Sequence, residues 1–307
     1  MSDLNLPHRP ARLLAAVLTG LTALAGCGGG GDSGSGTGPA VMDARVASSA
    51  IRYGQTLVIV IDGSRLDQGV SLSSTLCKNA ALSTTAPFVS GATTAYLTCT
   101  LSGVGAGQVK VQRASDGAIL ATVAVTIPVP QVTLSVDNGA GVIGTMVITL
   151  APDKAPITVD NFLAYVNSGF YVGTLFHRVV PGFVVQGGGY VAPLTSAPGT
   201  LKAASAPIAL ETGIGLSNVQ WSIAMARTSA ANSATSQFFI NLVDNSPILD
   251  PSPVNGAGYA VFGAVSLGTS AVTAILSSPC SAIPFLLGAG ECTPIPNMAI
   301  VSAVQTQ

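Results

Sequence analysis

The segment Leu175 to Gly188 reads Leu-Phe-His-Arg-Val-Val-Pro-Gly-Phe-Val-Val-Gln-Gly-Gly, and it restricts the fold more than any other stretch. Val179-Val180 and Phe183-Val184-Val185 are β-prone, and Pro181-Gly182 between them suits positions i+1 and i+2 of a type II turn. The segment therefore predicts two antiparallel strands joined by a tight turn. Set among these apolar residues are Arg178 and Gln186, in a chain of which 8% is charged. A guanidinium or an amide placed there needs partners, because burying either without hydrogen bonds is costly. Strand alternation puts Arg178 with Val180, and Phe183 with Val185 on the face opposite Val184 and Gln186. Periodicity alone does not bring Arg178, Phe183 and Gln186 together.

The run Phe176-His177-Arg178-Val179-Val180-Pro181-Gly182-Phe183, followed by Gln186-Gly187-Gly188, resembles the signature of the cyclophilin family of peptidylprolyl isomerases. Three further blocks agree, in order. They are Asn161-Phe162 with Ser168-Gly169-Phe170-Tyr171; Ile223 to Arg227 with Ala234 to Asn241; and Gly258-Tyr259-Ala260-Val261-Phe262-Gly263. The wording of the block around Gln237-Phe238-Phe239 is nearest the bacterial periplasmic branch. The resemblance covers residues 131–307 and implies a mainly β fold, a closed eight-stranded barrel with two helices.

It also implies a site. Carried over position by position, Arg178 and Gln186 are the catalytic pair, with Gln186 binding the carbonyl of the twisting peptide unit. Phe183, Val184, Phe239, Leu249 and Tyr259 match the proline pocket. Ala226, Arg227 and Gln237 match the groove for the flanking peptide. Val184 stands where the family often has Met, and Tyr259 where many eukaryotic members have His. Ile248 stands where the family usually has an aromatic that closes the pocket, which predicts weak cyclosporin binding and reduced turnover. The implied partners are proline-containing unfolded or extended polypeptides. A weakly catalytic or non-catalytic module that only grips such segments is the second reading.

Helical spacing of Val159, Phe162, Leu163 and Val166, with Pro156 near the start and Gly169 past the end, predicts one helix; Thr269 to Leu276 is the second. Gly139-Ala-Gly141-Val-Ile-Gly144 fits the dinucleotide pattern G-x-G-x-x-G, but a strand follows it instead of a helix, so the match is spurious. His8 and His177 are the only histidines, so neither a metal site nor a Ser-His-acid hydrolase set can be assembled; no cofactor or metal is expected. Formal net charge is −1, and residues 131–307 hold only Lys154, Arg178, Lys202 and Arg227 as permanent cations. That excludes a basic stripe for nucleic acid.

Upstream, Arg9 and Arg12 precede an apolar run from Leu13 to Ala25, too short to span a bilayer comfortably and shaped like a signal-peptide core. It ends in Leu24-Ala25-Gly26-Cys27, which resembles a bacterial lipobox. Residues 1–26 are read as a lipoprotein signal, Cys27 as the lipid attachment site and 27–38 as a Gly/Ser tether. Gly28 rather than Asp beside the cysteine suggests sorting to the outer membrane, facing the periplasm of a bacterial cell envelope. Short β-prone runs separated by Asp62-Gly63, Ser102-Gly103 and Asp116-Gly117 predict that 39–127 is a small β-sandwich. It resembles an immunoglobulin-like module and carries no visible chemistry. Pro128-Val129-Pro130 is read as a stiff hinge. The remaining cysteines form two local pairs, Cys77 with Cys99 and Cys280 with Cys292. Disulfides are the simplest account in an oxidising compartment, with four reduced buried thiols as the alternative.

Overall fold

The computed structural model describes residues 37–192, 194, 199–281 and 290–307. The signal segment, Cys27 and all but the last two residues of the tether lie outside the described residues. Gly38 to Gln307 forms one compact unit.

Its first seven strands make two antiparallel sheets. One is ordered β1 (Ala40–Val46), β2 (Thr56–Ser64), β5 (Thr94–Leu101), β4 (Cys77–Leu82); the other is β3 (Val70–Ser73), β6 (Gly105–Arg113), β7 (Ile119–Ile127). Alternation is plain in β5, where Ala95, Leu97, Cys99 and Leu101 are buried and the residues between them are not. Leu57, Ile59 and Ile61 of β2 and Val109 and Val111 of β6 complete this part of the core. A disulfide joins Cys77 to Cys99, tying β4 to the middle of β5.

The chain then passes Pro128-Val129-Pro130 into a barrel. Its strands are β8 (Gln131–Asp137), β9 (Val142–Leu150), β10 (Thr174–Val180), β11 (Val184–Val191), β13 (Ser222–Met225), β14 (Phe238–Asn241), β15 (Val261–Leu267) and β18 (Met298–Gln305). The sheet runs β10-β18-β8-β9-β15-β13-β14-β11, with the two-residue β12 (Thr200–Leu201) added beyond β11; pairing of β10 with β11 closes the ring. Closure removes the exposed edges that an open sheet of this size would present. The turn between β8 and β9 contains Gly139 (φ 87°) and Gly141 (φ 140°). That is glycine used for a hairpin, with no helix after it to receive a phosphate.

Helices pack against the barrel strands. In α1 (Pro156–Asn167) the stripe Val159, Phe162, Leu163 and Val166 is buried as its spacing predicts. Its N-terminus has no local side-chain cap. The Glu211 carboxylate takes that place, accepting from Ile157 N at 3.1 Å, Thr158 N at 2.8 Å and Thr158 Oγ1 at 2.7 Å, where the helix dipole favours a negative charge. Phe162 and Phe238 meet edge to face at 5.7 Å, and Phe238 meets Tyr171 and Phe176 in the same way. Besides the two expected helices, α1 and α3 (Thr269–Leu276), there is a single turn, α2 (Ser246–Leu249). Pro247 near its start suits a first helical turn, and too little apolar periodicity precedes Asp250 for sequence to show it. A last small ribbon pairs β16 (Cys280–Ser281) with β17 (Thr293–Pro294), beside the Cys280–Cys292 disulfide.

The two β regions share one continuous apolar core. Pro130 is buried, and Tyr53 Oη donates to Asp160 Oδ1 of α1 at 2.9 Å, while Lys78 Nζ pairs with Asp160 Oδ2 at 2.6 Å. Gln305 Nε2 reaches back to the Tyr53 carbonyl at 3.0 Å. The segment read as a hinge thus joins two parts of one packed body, because apolar surface and a buried tyrosine cross it on both sides.

Candidate active site

A patch on the outer face of the barrel collects the side chains that alternation turns away from the core. On β13, Ile223 and Met225 point into the main core and Ala224 out; on β14, Phe238 and Ile240 point in and Phe239 out; on β15, Phe262 points in and Val261 out. Val184, Ala224, Phe239, Leu249 and Val261 form a separate buried cluster, flanked by Phe183, Ala226 and Tyr259.

Two irregularities bring Arg178 and Phe183 to this face. Phe176 and Val179 both lie in the main core, which a regular strand cannot do for residues three apart. The β10–β11 register shifts between Phe176 and Arg178, a bulge that re-aims the side chain following it. Arg178 consequently lies opposite Gln186 and Val180 opposite Val184. Phe183 is not in a strand at all: its N–H donates to the Val180 carbonyl at 3.0 Å across a turn in which Gly182 has φ 69°. The turn frees Phe183 from the strand alternation that had set it opposite Gln186, and it packs on the outer cluster.

The result is a cavity of about 190 Å³ lined by Arg178, Gln186, Phe183, Val184, Phe239, Leu249, Tyr259, Ala226 and Arg227. Gln237 stands beside it, its Oε1 accepting from Gln186 Nε2 at 2.9 Å, while Gln186 Oε1 accepts from Arg178 Nη1 at 3.0 Å. This chain of side-chain bonds fixes which way the Gln186 amide faces. Arg227 lies over the Tyr259 ring, 4.5 Å from its centroid, and donates from Nε to the Gly258 carbonyl at 2.9 Å. Tyr259 in turn meets Phe239 edge to face at 5.5 Å. Ile248 is the exception: its side chain is 58% exposed and does not line the cavity. No group of three or more His, Cys, Asp or Glu able to hold a metal occurs among the described residues.

Two features of the site were not visible in sequence. The first is Glu291, whose Oε2 accepts from Arg178 Nε at 2.9 Å and whose Oε1 accepts from Nη2. The second is a buried chain of amides beneath the pocket. Asn245 Nδ2 donates to the Phe183 carbonyl at 2.9 Å and to Asn241 Oδ1 at 2.8 Å. Asn241 Nδ2 donates to Asn218 Oδ1 at 3.2 Å and to Ser222 Oγ at 2.9 Å. Asn218 N and Nδ2 both donate to Asp250 Oδ1 at 2.8 Å. The chain ties the backbone of Phe183, on one wall, to the loop carrying Leu249, on the other.

His177 is 2% exposed, its ring lies tilted against Tyr190 with centroids 4.7 Å apart, and its Nδ1 has no hydrogen-bond partner. Burial, reinforced by the adjacent Arg178 charge and opposed by the Leu175 carbonyl, pushes its pKa from the ordinary 6.5 down to about 4. It is a neutral structural ring and no acid or base. Between those two values the unfolded chain holds a proton that the folded chain does not, so stability falls as pH is lowered through this window and is complete above it. A His177→Phe variant should lose a pH-dependent stability component on the order of 3 kcal/mol. Melting temperatures from pH 7.5 to 4 should fall for the parent relative to the variant as pH is lowered; parallel curves would exclude this role.

Residues 132–304 match the family described as "Cyclophilin type peptidyl-prolyl cis-trans isomerase/CLD". Peptidyl-prolyl cis-trans isomerase A of Dickeya dadantii is 50% identical over 125 residues, 41% of this chain and 62% of that one. This chain therefore spans less than two thirds of that relative. The isomerase of Acinetobacter baylyi is 48% identical over 139 residues (45% and 70% of the two chains), and isomerase B of Escherichia coli 46% over 133 residues (43% and 78%). A solved cyclophilin-type isomerase of Cryptosporidium parvum covers 58% of this chain and 98% of its own, at 22% identity and a TM-score of 0.43. The chain belongs to the cyclophilin-type peptidyl-prolyl cis-trans isomerase family, and the match falls on the barrel.

Proposed function

We propose that the whole protein is a lipid-anchored peptidyl-prolyl isomerase of the bacterial cell envelope that assists folding of exported polypeptides. The observation that carries the reading is a guanidinium, Arg178, held by side-chain bonds at the edge of an apolar cavity floored by Val184, Phe239 and Leu249.

Rotation about a Xaa-Pro bond breaks amide resonance, a barrier of about 18–20 kcal/mol, and needs neither proton transfer nor a covalent intermediate. As the bond twists, the proline nitrogen becomes pyramidal and gains a lone pair. A donor fixed toward it stabilises only that state. Arg178 supplies the donor, the apolar cluster takes the proline ring, and Gln186, Gln237 and Arg227 orient the peptide on either side. Raising a rate of about 0.01 per second by some five decades requires roughly 7 kcal/mol. One charge-assisted hydrogen bond contributes about 1.5–3 of that, so desolvation of the ring and anchoring of the flanking peptide supply the remainder.

Arg9, Arg12, the apolar run to Ala25 and Cys27 support export and lipid attachment, with the following Gly/Ser segment as a tether and Gly28 favouring the outer membrane, facing the periplasm. The two disulfides are in keeping with an oxidising compartment. The two N-terminal sheets are read as an immunoglobulin-like spacer or docking module. Exposure of Ile248 leaves the pocket without the aromatic wall usual in the family, so cyclosporin binding is expected to be weak. It also favours the second reading, a grip on proline segments with little catalysis.

Exchange NMR on a Xaa-Pro peptide with the soluble mature chain separates the two. Accelerated cis/trans exchange is the expected result. Peptide shifts that show binding without acceleration would leave only the binding module.

A further inference from the structure

We infer that Glu291 is a positioning residue for Arg178, an inference that rests on the isomerase reading. Its carboxylate takes the Nε and Nη2 side of the guanidinium while Gln186 takes Nη1. Three of the five N–H groups are thus engaged, and two, one on each terminal nitrogen, are left for a substrate. A side chain held on both flanks cannot rotate between rotamers, so the donor meets the twisting nitrogen already oriented.

Glu291 is itself carried by a strip bonded to the strand that holds Arg178. Its neighbour Cys292 exchanges both backbone bonds with Val179, the residue after Arg178, at 2.8 and 3.0 Å. Thr293 Oγ1 donates to the His177 carbonyl, the residue before Arg178, at 2.7 Å. Residues 291–293 therefore run antiparallel beside 177–179, and the Cys280–Cys292 disulfide links the strip to β16. The backbone and hydroxyl bonds that this strip makes to β10 land on the two residues flanking Arg178. The arrangement orients rather than blocks, because Glu291 is not among the described residues lining the cavity. Both side chains are also withdrawn from water, 23% and 18% exposed, so the pair is screened less than a surface ion pair.

The test uses exchange NMR with parent, Glu291→Gln, Glu291→Ala, Arg178→Ala and Arg178→Ala/Glu291→Ala chains, the Nε–H shift being read in the two chains altered at Glu291 alone. Catalysed exchange at saturating peptide is expected to fall at least tenfold in Glu291→Ala and less in Glu291→Gln, which keeps one acceptor. Peptide affinity should stay within about twofold. In the Arg178→Ala background, removing Glu291 should have no further effect on catalysis. The Arg178 Nε–H resonance, shifted downfield by the carboxylate, should move upfield in both single variants. A parent that catalyses while Glu291→Ala matches it within twofold would overturn the inference and leave the isomerase reading standing. So would a variant faster than the parent, which would make Glu291 an inhibitory lock. A parent without catalysis would instead sink the isomerase reading, with the Nε–H shift still reporting whether the pair forms.

Discussion

Replacing Arg178 with alanine is expected to reduce catalysed exchange of a Xaa-Pro peptide by two decades or more, with peptide affinity changed by only a few-fold. Two decades correspond to about 2.7 kcal/mol of transition-state stabilisation, the size of one charge-assisted hydrogen bond in a water-poor site. Affinity should be spared because the pocket proposed for the proline ring is formed by Val184, Phe239 and Leu249, none of which needs the guanidinium. The substitution leaves Glu291 without this cation, so the alanine variant should also melt lower than the parent. Arg178→Lys separates charge from geometry: it keeps a cation for Glu291, but its donors radiate from one nitrogen and do not reproduce the planar fork that meets Glu291 and Gln186 from separate nitrogens. Lysine should therefore restore stability more than catalysis. A lysine variant with near-parental exchange would mean that positive charge alone carries the reaction.

Where sequence succeeded, local chemistry decided the outcome. Pro181-Gly182 fixes its turn through φ values, and α1 follows from a buried stripe at helical spacing, so both were legible without tertiary context. The cavity residues were legible only through the family motif, because alternation taken alone places Phe183 opposite Gln186. The bulge between Phe176 and Arg178 and the turn position of Phe183 are what reconcile motif and geometry, and neither has a sequence marker. Glu291 and the Asn218-Asn241-Asn245 chain were invisible for a different reason. Each is a contact between segments far apart in the chain, Arg178 with Glu291 and Phe183 with Asn245, and polar residues in loops are read by default as turn formers. The buried amides had one available signal, since Asn241 ends the apolar run Phe238-Phe239-Ile240, where an uncompensated amide would be costly.

That amide chain carries the largest stability effect to be expected outside the aromatic core. Asn241 is fully buried, and its side chain donates to Asn218 and Ser222 and accepts from Asn245. Asn241→Leu is close in volume, so it opens no large cavity, but it leaves Asn218 Oδ1 and one Asn245 N–H without this partner in a place water does not reach. Each such group costs about 1–3 kcal/mol, and coupling along the chain makes the losses act together. The variant is expected to lose about 3 kcal/mol, a fall in melting temperature of roughly 6–12 °C for a chain of this size. Asn245→Ala should cost less, because the Phe183 carbonyl keeps its bond from Leu242 N at 2.9 Å. The chain also spans the pocket from Phe183 to the Asp250 loop, so Asn241→Leu should weaken peptide binding several-fold while catalysed exchange at saturation changes less, the reverse of the Arg178 pattern. A variant that melts within 2 °C of the parent would show that the amides are individually dispensable and that the pocket walls are held apart by apolar packing alone.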